Sequence, residues 1–227
     1  MIFLLGILLF SYVVHSLLYI PFIKLLYVWK FRRLKQVTRD AFNKRTPIFD
    51  KFHQMKAGTP VGGGLLIIVL TTLFFPLTIL TMKYFWVPIT SVYPMFHEIK
   101  ILLFTFISFG LLGLLDDAKK TFAWKSDVFG LRIRHKLILE VILAAIISFW
   151  LASDLKIDIF YLPLFGVIRM GWWFIPFATF VIIAFSNAFN ITDGLDGLSA
   201  GVLMIALCAF WIVSASILDT PTSIFIA

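Results

Sequence analysis

Long apolar runs alternate along this chain with short polar connections. The runs cover residues 2–28, 61–82, 99–115, 137–152, 171–185 and 198–218. A helix needs about 20 predominantly apolar residues to cross roughly 30 Å of hydrocarbon, so the spacing predicts six crossings. The third to fifth runs are short, and their helices are expected to take in flanking aromatic and polar residues. The pattern therefore predicts an all-α fold, a polytopic integral membrane protein with about six transmembrane helices. The first run has neither a basic segment before it nor a small-residue cleavage site, so a retained helix is expected rather than a signal peptide. Between the fourth and fifth runs, residues 154–169 alternate β-branched and aromatic positions around Pro163, which leaves room for a short external β-hairpin. The connections are too short for a second domain, and residues 1–227 read as a single transmembrane domain.

Composition supports this solvent assignment. Of the 227 residues 61% are hydrophobic and only 14% charged, where a water-soluble domain carries about a quarter. The single cysteine, Cys208, lies in an apolar run and excludes an intrachain disulfide framework.

The charges add an orientation. Nine of the 20 Lys and Arg residues fall in 29–56 and six in 116–136. Fifteen of the 20 on one side of the membrane make that side cytoplasmic and put the N-terminus outside. The net charge of +8 is accounted for by this bias and by anionic lipid headgroups, and calls for no nucleic acid partner.

Three motifs fall on that basic side. In the first, the third run ends at Asp116-Asp117, followed by Lys120. Adjacent carboxylates at a membrane boundary are costly unless a cation or water satisfies them. If the helix continues one turn, Lys120 can approach both. Mg²⁺ takes one or two protein carboxylates and completes its shell with phosphate oxygens, so the trio suits a metal–phosphate site. The plainer alternative is an ordinary charged helix end.

In the second motif, polar groups recur every third residue at Asn187, Asn190, Asp193 and Asp196, with Gly194 and Gly197 between them. One continuous helix would spread these four over half its surface. The glycines predict instead a turn or broken helix, where backbone can approach a ligand closely. Asn and Asp offer oxygen acceptors for ribose, base or metal. The third motif, residues 53–64, carries Lys56, Gly58, Thr59 and the run Gly62-Gly63-Gly64. It lacks the Gly-Lys-Ser/Thr ending of a P-loop. Its amides suit an anion, although the glycines would equally serve close helix packing.

With their order and topology, KAGTPVGGG, LLGLLDDAKK and NAFNITDGLDGLSAG resemble the polyprenyl-phosphate N-acetylhexosamine-1-phosphate transferase family, most closely its phospho-MurNAc-pentapeptide transferase branch. The resemblance covers essentially the whole chain. It implies an all-helical, Mg²⁺-dependent enzyme of the bacterial inner membrane with a cytoplasmic active face. That enzyme joins UDP-MurNAc-pentapeptide to undecaprenyl phosphate in the lipid bilayer and releases UMP. By resemblance Asp116, Asp117 and Lys120 are the catalytic group at the phosphates. Lys56, Gly58, Thr59, Asn187, Asn190, Asp193, Gly194 and Asp196 bind substrate, with Asp117 and Asp193 at the metal.

Two departures accompany the resemblance. Val61-Gly62 stands where the family usually has Thr-Met, and the family's later GDxGS-like motif and histidine cluster do not occur in the 227 residues. The chain is thus expected to be the N-terminal portion of a longer transferase domain, one part of a split enzyme completed by a C-terminal polypeptide, or a chain with an incomplete site, and a homodimer is a further candidate assembly. The alternatives are a GlcNAc-1-phosphate transferase and a non-catalytic membrane subunit. A transporter fits less well, because the ionisable clusters sit at the membrane boundary.

Overall fold

In hydrocarbon every backbone N–H and C=O must be satisfied within the segment, and the apolar runs accordingly form helices. The computed structural model describes residues 2–32, 47–52, 58–122, 133–193, 195 and 197–227. Among them, in chain order, are α1 (Ile2–Val28), α2 (Pro47–Phe52), α3 (Gly64–Tyr84), α4 (Met95–Phe122), α5 (Ile133–Ser153), β1 (Ile159–Leu162), β2 (Gly166–Arg169), a 3-10 turn (Gly171–Trp173), α6 (Phe174–Thr192), α7 (Leu198–Ser216) and α8 (Thr220–Ile226). Six of these helices are long and apolar enough to cross a membrane, in the order the runs predict. As expected, the short third and fourth runs gain charged ends: α4 starts four residues earlier and continues past Asp116-Asp117 to Phe122.

Hydrogen bonds and ion pairs fix which helix ends lie together. Lys100, near the start of α4, bonds Asp154 just beyond α5, and His97 Nδ1 lies 3.3 Å from the same carboxylate. The Lys100 ammonium also sits 4.3 Å from the Trp150 ring centre. That hydrogen bond, joined by one from Ser153, holds the Asp154 carboxyl below its ordinary range. In the α3–α4 connection, Thr90 bonds the carbonyl of Leu218, and the Thr220 amide bonds the Thr90 carbonyl at 2.9 Å. The starts of α4 and α8 therefore meet the ends of α3, α5 and α7 at one end of the bundle. The opposite end gathers the starts of α3, α5 and α7 with the ends of α4 and α6. From Lys100 to Asp116 along α4 is about 24 Å at 1.5 Å per residue, nearly the hydrocarbon thickness.

Among the described residues two clusters make the core. Phe75, Ile79 and Met82 of α3 enclose Ile224 of α8, while Ile101 of α4 and Ile147 of α5 pack with Leu155. Gly110 brings α4 against α3 so closely that a Cβ there would lie 2.7 Å from Ile68 Cδ1. On α5, Glu140, Ala144 and Ser148 form an i, i+4 row and are almost wholly buried. The small residues of that row allow the close approach of backbones by which membrane helices associate. Large side chains elsewhere stay exposed, among them Leu17, Leu73, Ile205 and Phe210 at 60–70% or more, the surface expected of helices solvated by lipid tails. This is an all-α, polytopic membrane protein.

The hairpin left open by the sequence is formed: β1 and β2 pair antiparallel, Ile159 opposite Arg169 through Leu162 opposite Gly166, and Phe160 stacks edge-on against Phe177 of α6 at 5.1 Å. Helix α8 has no counterpart in the sequence pattern. Helix α7 stops at Ser216, Leu218 turns with φ +58°, and Pro221 lies in the first turn of α8, where proline is tolerated because its missing N–H has no helical partner. Phe225 of α8 then meets Phe75 and Phe106 edge-on.

Candidate functional site

The bundle end opposite the hairpin carries the motif residues. Asp116 and Asp117 are half-buried near the end of α4, where the Thr121 hydroxyl bonds the Asp117 carbonyl at 2.9 Å and holds the last turn. Because α4 continues to Phe122, Lys120 does fall one turn beyond the acidic pair; its side chain lies outside the described residues.

The Asn/Asp motif is a broken helix, as its glycines predict. Asn187 and Asn190 belong to the last turns of α6, and Asp193 is its C-cap. The next helix starts after Gly197, whose φ of +82° reverses the chain as a glycine can. Asp193 faces back onto that second helix, where the Ser199 hydroxyl bonds its Oδ1 at 2.8 Å. Asn190 and Asp193 are exposed, with acceptors within reach of a ligand. Gly194 and Asp196 lie outside the described residues.

The glycine motif is held by α1. The Val61 amide bonds the Phe31 carbonyl at 3.0 Å, and Arg32 pairs with Pro60 as an antiparallel bridge. Gly58 and Gly62 take left-handed φ values of +92° and +81°, and a Cβ on Gly62 would lie 2.5 Å from the Phe31 ring. Gly62 thus serves close packing, while half-buried Gly58 and exposed Thr59 lie in the loop before α3. Lys56 lies outside the described residues.

Sequence reasoning missed two residues at this end. Arg32 brings a guanidinium-bearing residue to the glycine loop through backbone pairing. Glu140 is 2% exposed and accepts a 2.7 Å hydrogen bond from Asn187 Nδ2, with Lys136 Nζ 3.9 Å from its other oxygen. The missed signal was a carboxylate within an apolar run, which is expensive in a membrane without a partner. Among the described residues no three His, Cys, Asp or Glu side chains converge as a metal cage.

A family model described as glycosyl transferase family 4 matches residues 99–227, more than half of the chain, from the end of the first turn of α4 through α8. The chain belongs to glycosyl transferase family 4. Its match to that family takes in the acidic pair of α4 and the broken helix of α6–α7. Curated relatives are also found. A protein named phospho-N-acetylmuramoyl-pentapeptide-transferase from Caldanaerobacter subterraneus subsp. tengcongensis is 34% identical over 181 residues, covering 78% of this chain and 51% of the relative. One of the same name from Rickettsia canadensis is 38% identical over 71% of this chain and 42% of its own length. A third, from Acetivibrio thermocellus, is 35% identical over 72% and 46%. This family 4 chain spans about half the length of the curated relatives it matches.

Proposed function

We propose that this chain carries the nucleotide and phosphate end of a phospho-MurNAc-pentapeptide transferase, which moves phospho-MurNAc-pentapeptide from UDP-MurNAc-pentapeptide to undecaprenyl phosphate and releases UMP. The observation that carries this reading is the convergence of Asp116-Asp117, Asn187, Asn190, Asp193 and the Gly58–Thr59 loop on one end of the bundle. Relatives of that printed name support it. The basic bias of the flanking connections makes this end the cytoplasmic face of the bacterial inner membrane, with the N-terminus outside.

The acceptor is a phosphate monoester, whose second pKa near 6 leaves it mostly dianionic at neutral pH. A lipid phosphate oxygen bonds to the sugar-bearing phosphorus, the bond from that phosphorus to the bridging oxygen breaks, and UMP departs on that oxygen. No proton needs removing from the nucleophile. Asp116 and Asp117, anions themselves, would therefore act mainly by holding the metal and so restraining the nucleophile, while Asn190, Asp193 and the glycine loop orient the uridine diphosphate. The donor set fits Mg²⁺: the ion prefers oxygen ligands and uses one or two carboxylates beside phosphates, so the lack of a three-residue cage among the described residues is compatible with Asp117 and Asp193 holding it. When bound, Mg²⁺ would offset charge developing on the diphosphate.

A second reading, transfer of GlcNAc-1-phosphate to a polyprenyl phosphate, is favoured by Gly62. Its φ of +81° and the Phe31 ring 2.5 Å from a Cβ leave no place for the methionine that the peptidoglycan branch usually carries there.

The test is lipid-product formation by the purified chain in vesicles containing undecaprenyl phosphate and Mg²⁺. UDP-MurNAc-pentapeptide should be the productive donor. Product from UDP-GlcNAc alone would move the assignment to the second reading. Donor binding without product, until a complementary C-terminal polypeptide is added, would make the chain one subunit of a split enzyme. Neither binding nor product with either donor overturns the reading.

A further inference from the structure

Glu140 lies at the α5–α6 contact, on the row whose next members are Ala144 and Ser148. Its partner Asn187 is 47 residues away in sequence. Asn187 Nδ2 donates twice, to Glu140 Oε2 at 2.7 Å and to the Ile183 carbonyl at 3.0 Å. A carboxylate and a carbonyl can only accept here, so the amide has one admissible orientation. Both amide protons are thereby spent inside the protein, and Oδ1 is the acceptor left over. Lys136, one turn before Glu140 and 3.9 Å from Oε1, offsets the buried charge, which would otherwise be strongly unfavourable in a membrane helix.

We propose that Glu140 is a positioning residue that orients the Asn187 amide, so that Oδ1 is presented as an acceptor to a ligand N–H or O–H. The ligand group recognised is a ribose hydroxyl or an imide N–H, not a phosphate, which has no proton to donate once ionised. The inference rests on the nucleotide reading of the α6 end. It adds a residue from α5, outside all three sequence motifs, and assigns Asn187 the role of acceptor.

The test is equilibrium binding of UMP to the purified full chain, with the thermal midpoint of each variant measured alongside. Glu140→Ala should weaken UMP about tenfold or more, the scale of losing a charge-assisted hydrogen bond. Glu140→Gln keeps an acceptor for Asn187 Nδ2 and should stay within about threefold of wild type. Asn187→Asp sets two carboxylates against each other and should lose binding about as strongly as Glu140→Ala. Combining Asn187→Asp with Glu140→Gln restores one donor and one acceptor across the contact and should recover most of the affinity. A merely structural Glu140 would lower the thermal midpoint without moving the affinity, and would give no rescue. Wild-type affinity in Glu140→Ala, or a double variant no better than Asn187→Asp, overturns the proposal while leaving the nucleotide reading intact. If the wild-type chain binds no UMP, the nucleotide reading falls and this inference with it.

Discussion

Replacing Gly62 by alanine should loosen the glycine loop from α1, and the cost has two separable parts. The first is conformational: at φ +81° an L-residue pays about 1–2 kcal/mol for the left-handed region. The second is steric. The new methyl would lie 2.5 Å from Phe31 Cε1 and 2.9 Å from Cδ1, against a rigid ring whose own backbone carbonyl is tied to the Val61 amide. Overpacking of this kind costs about 1–3 kcal/mol. Together they give about 2–5 kcal/mol against the docked loop. The assay is thermal unfolding of the purified chain in detergent, with UMP affinity measured on the same samples. Phe31→Ala separates the parts, because it removes the ring and leaves the φ cost. In that background Gly62→Ala should cost only about 1–2 kcal/mol, a coupling of about 1–3 kcal/mol between the two positions. Wild-type stability and affinity in Gly62→Ala, or an undiminished cost once Phe31 is truncated, would refute the reasoning.

Other consequences can be checked in parallel. Asp117→Asn should cut lipid-product formation by about a hundredfold or more, because it removes a carboxylate proposed to hold the Mg²⁺ that would offset charge on the diphosphate, with helical content unchanged by circular dichroism. The depressed pKa of Asp154 means its folded form is stabilised by ionisation. That contribution is fully present above the ordinary value of 3.8 and is lost as pH falls through the lower folded value. Asp154→Asn should therefore lower the thermal midpoint at neutral pH, and the difference from wild type should close below about pH 4. Ile224→Ala, at a side chain 4% exposed between α3 and α8, should cost about 1–2 kcal/mol. In an apolar solvent the cavity term survives and the transfer term largely does not, so a loss above about 4 kcal/mol in detergent unfolding would contradict that account.

The membrane spans were legible because the bilayer imposes a length and a composition that local sequence cannot disguise. The break after α6 was legible because Gly194 and Gly197 fall in a polar segment between two apolar runs, and Gly197 does take a conformation that glycine favours. Contacts across the chain were not. Lys100 and Asp154 stand 54 residues apart, and nothing local marks them as partners. Glu140 was absorbed into a hydrophobic run because one carboxylate hardly changes the average, although in a membrane one carboxylate decides the packing. Helix α8 is too short to show a spanning pattern, and its docking depends on a reversal at Leu218, a residue with no turn signature. In the glycine motif, the sequence carried the backbone freedom of Gly62 but not the Phe31 ring that uses it.

The central claim is that the ends of α4 and α6 serve one ligand. It is tested most directly by Mg²⁺-dependent binding of UDP-MurNAc-pentapeptide to the wild-type chain, to Asp117→Asn, to Asp193→Asn and to the double variant. Each single substitution should weaken binding about tenfold or more, and the double should lose less than the sum, because both groups serve the same diphosphate and metal. Full affinity in either single variant, or strictly additive losses, would contradict a shared site.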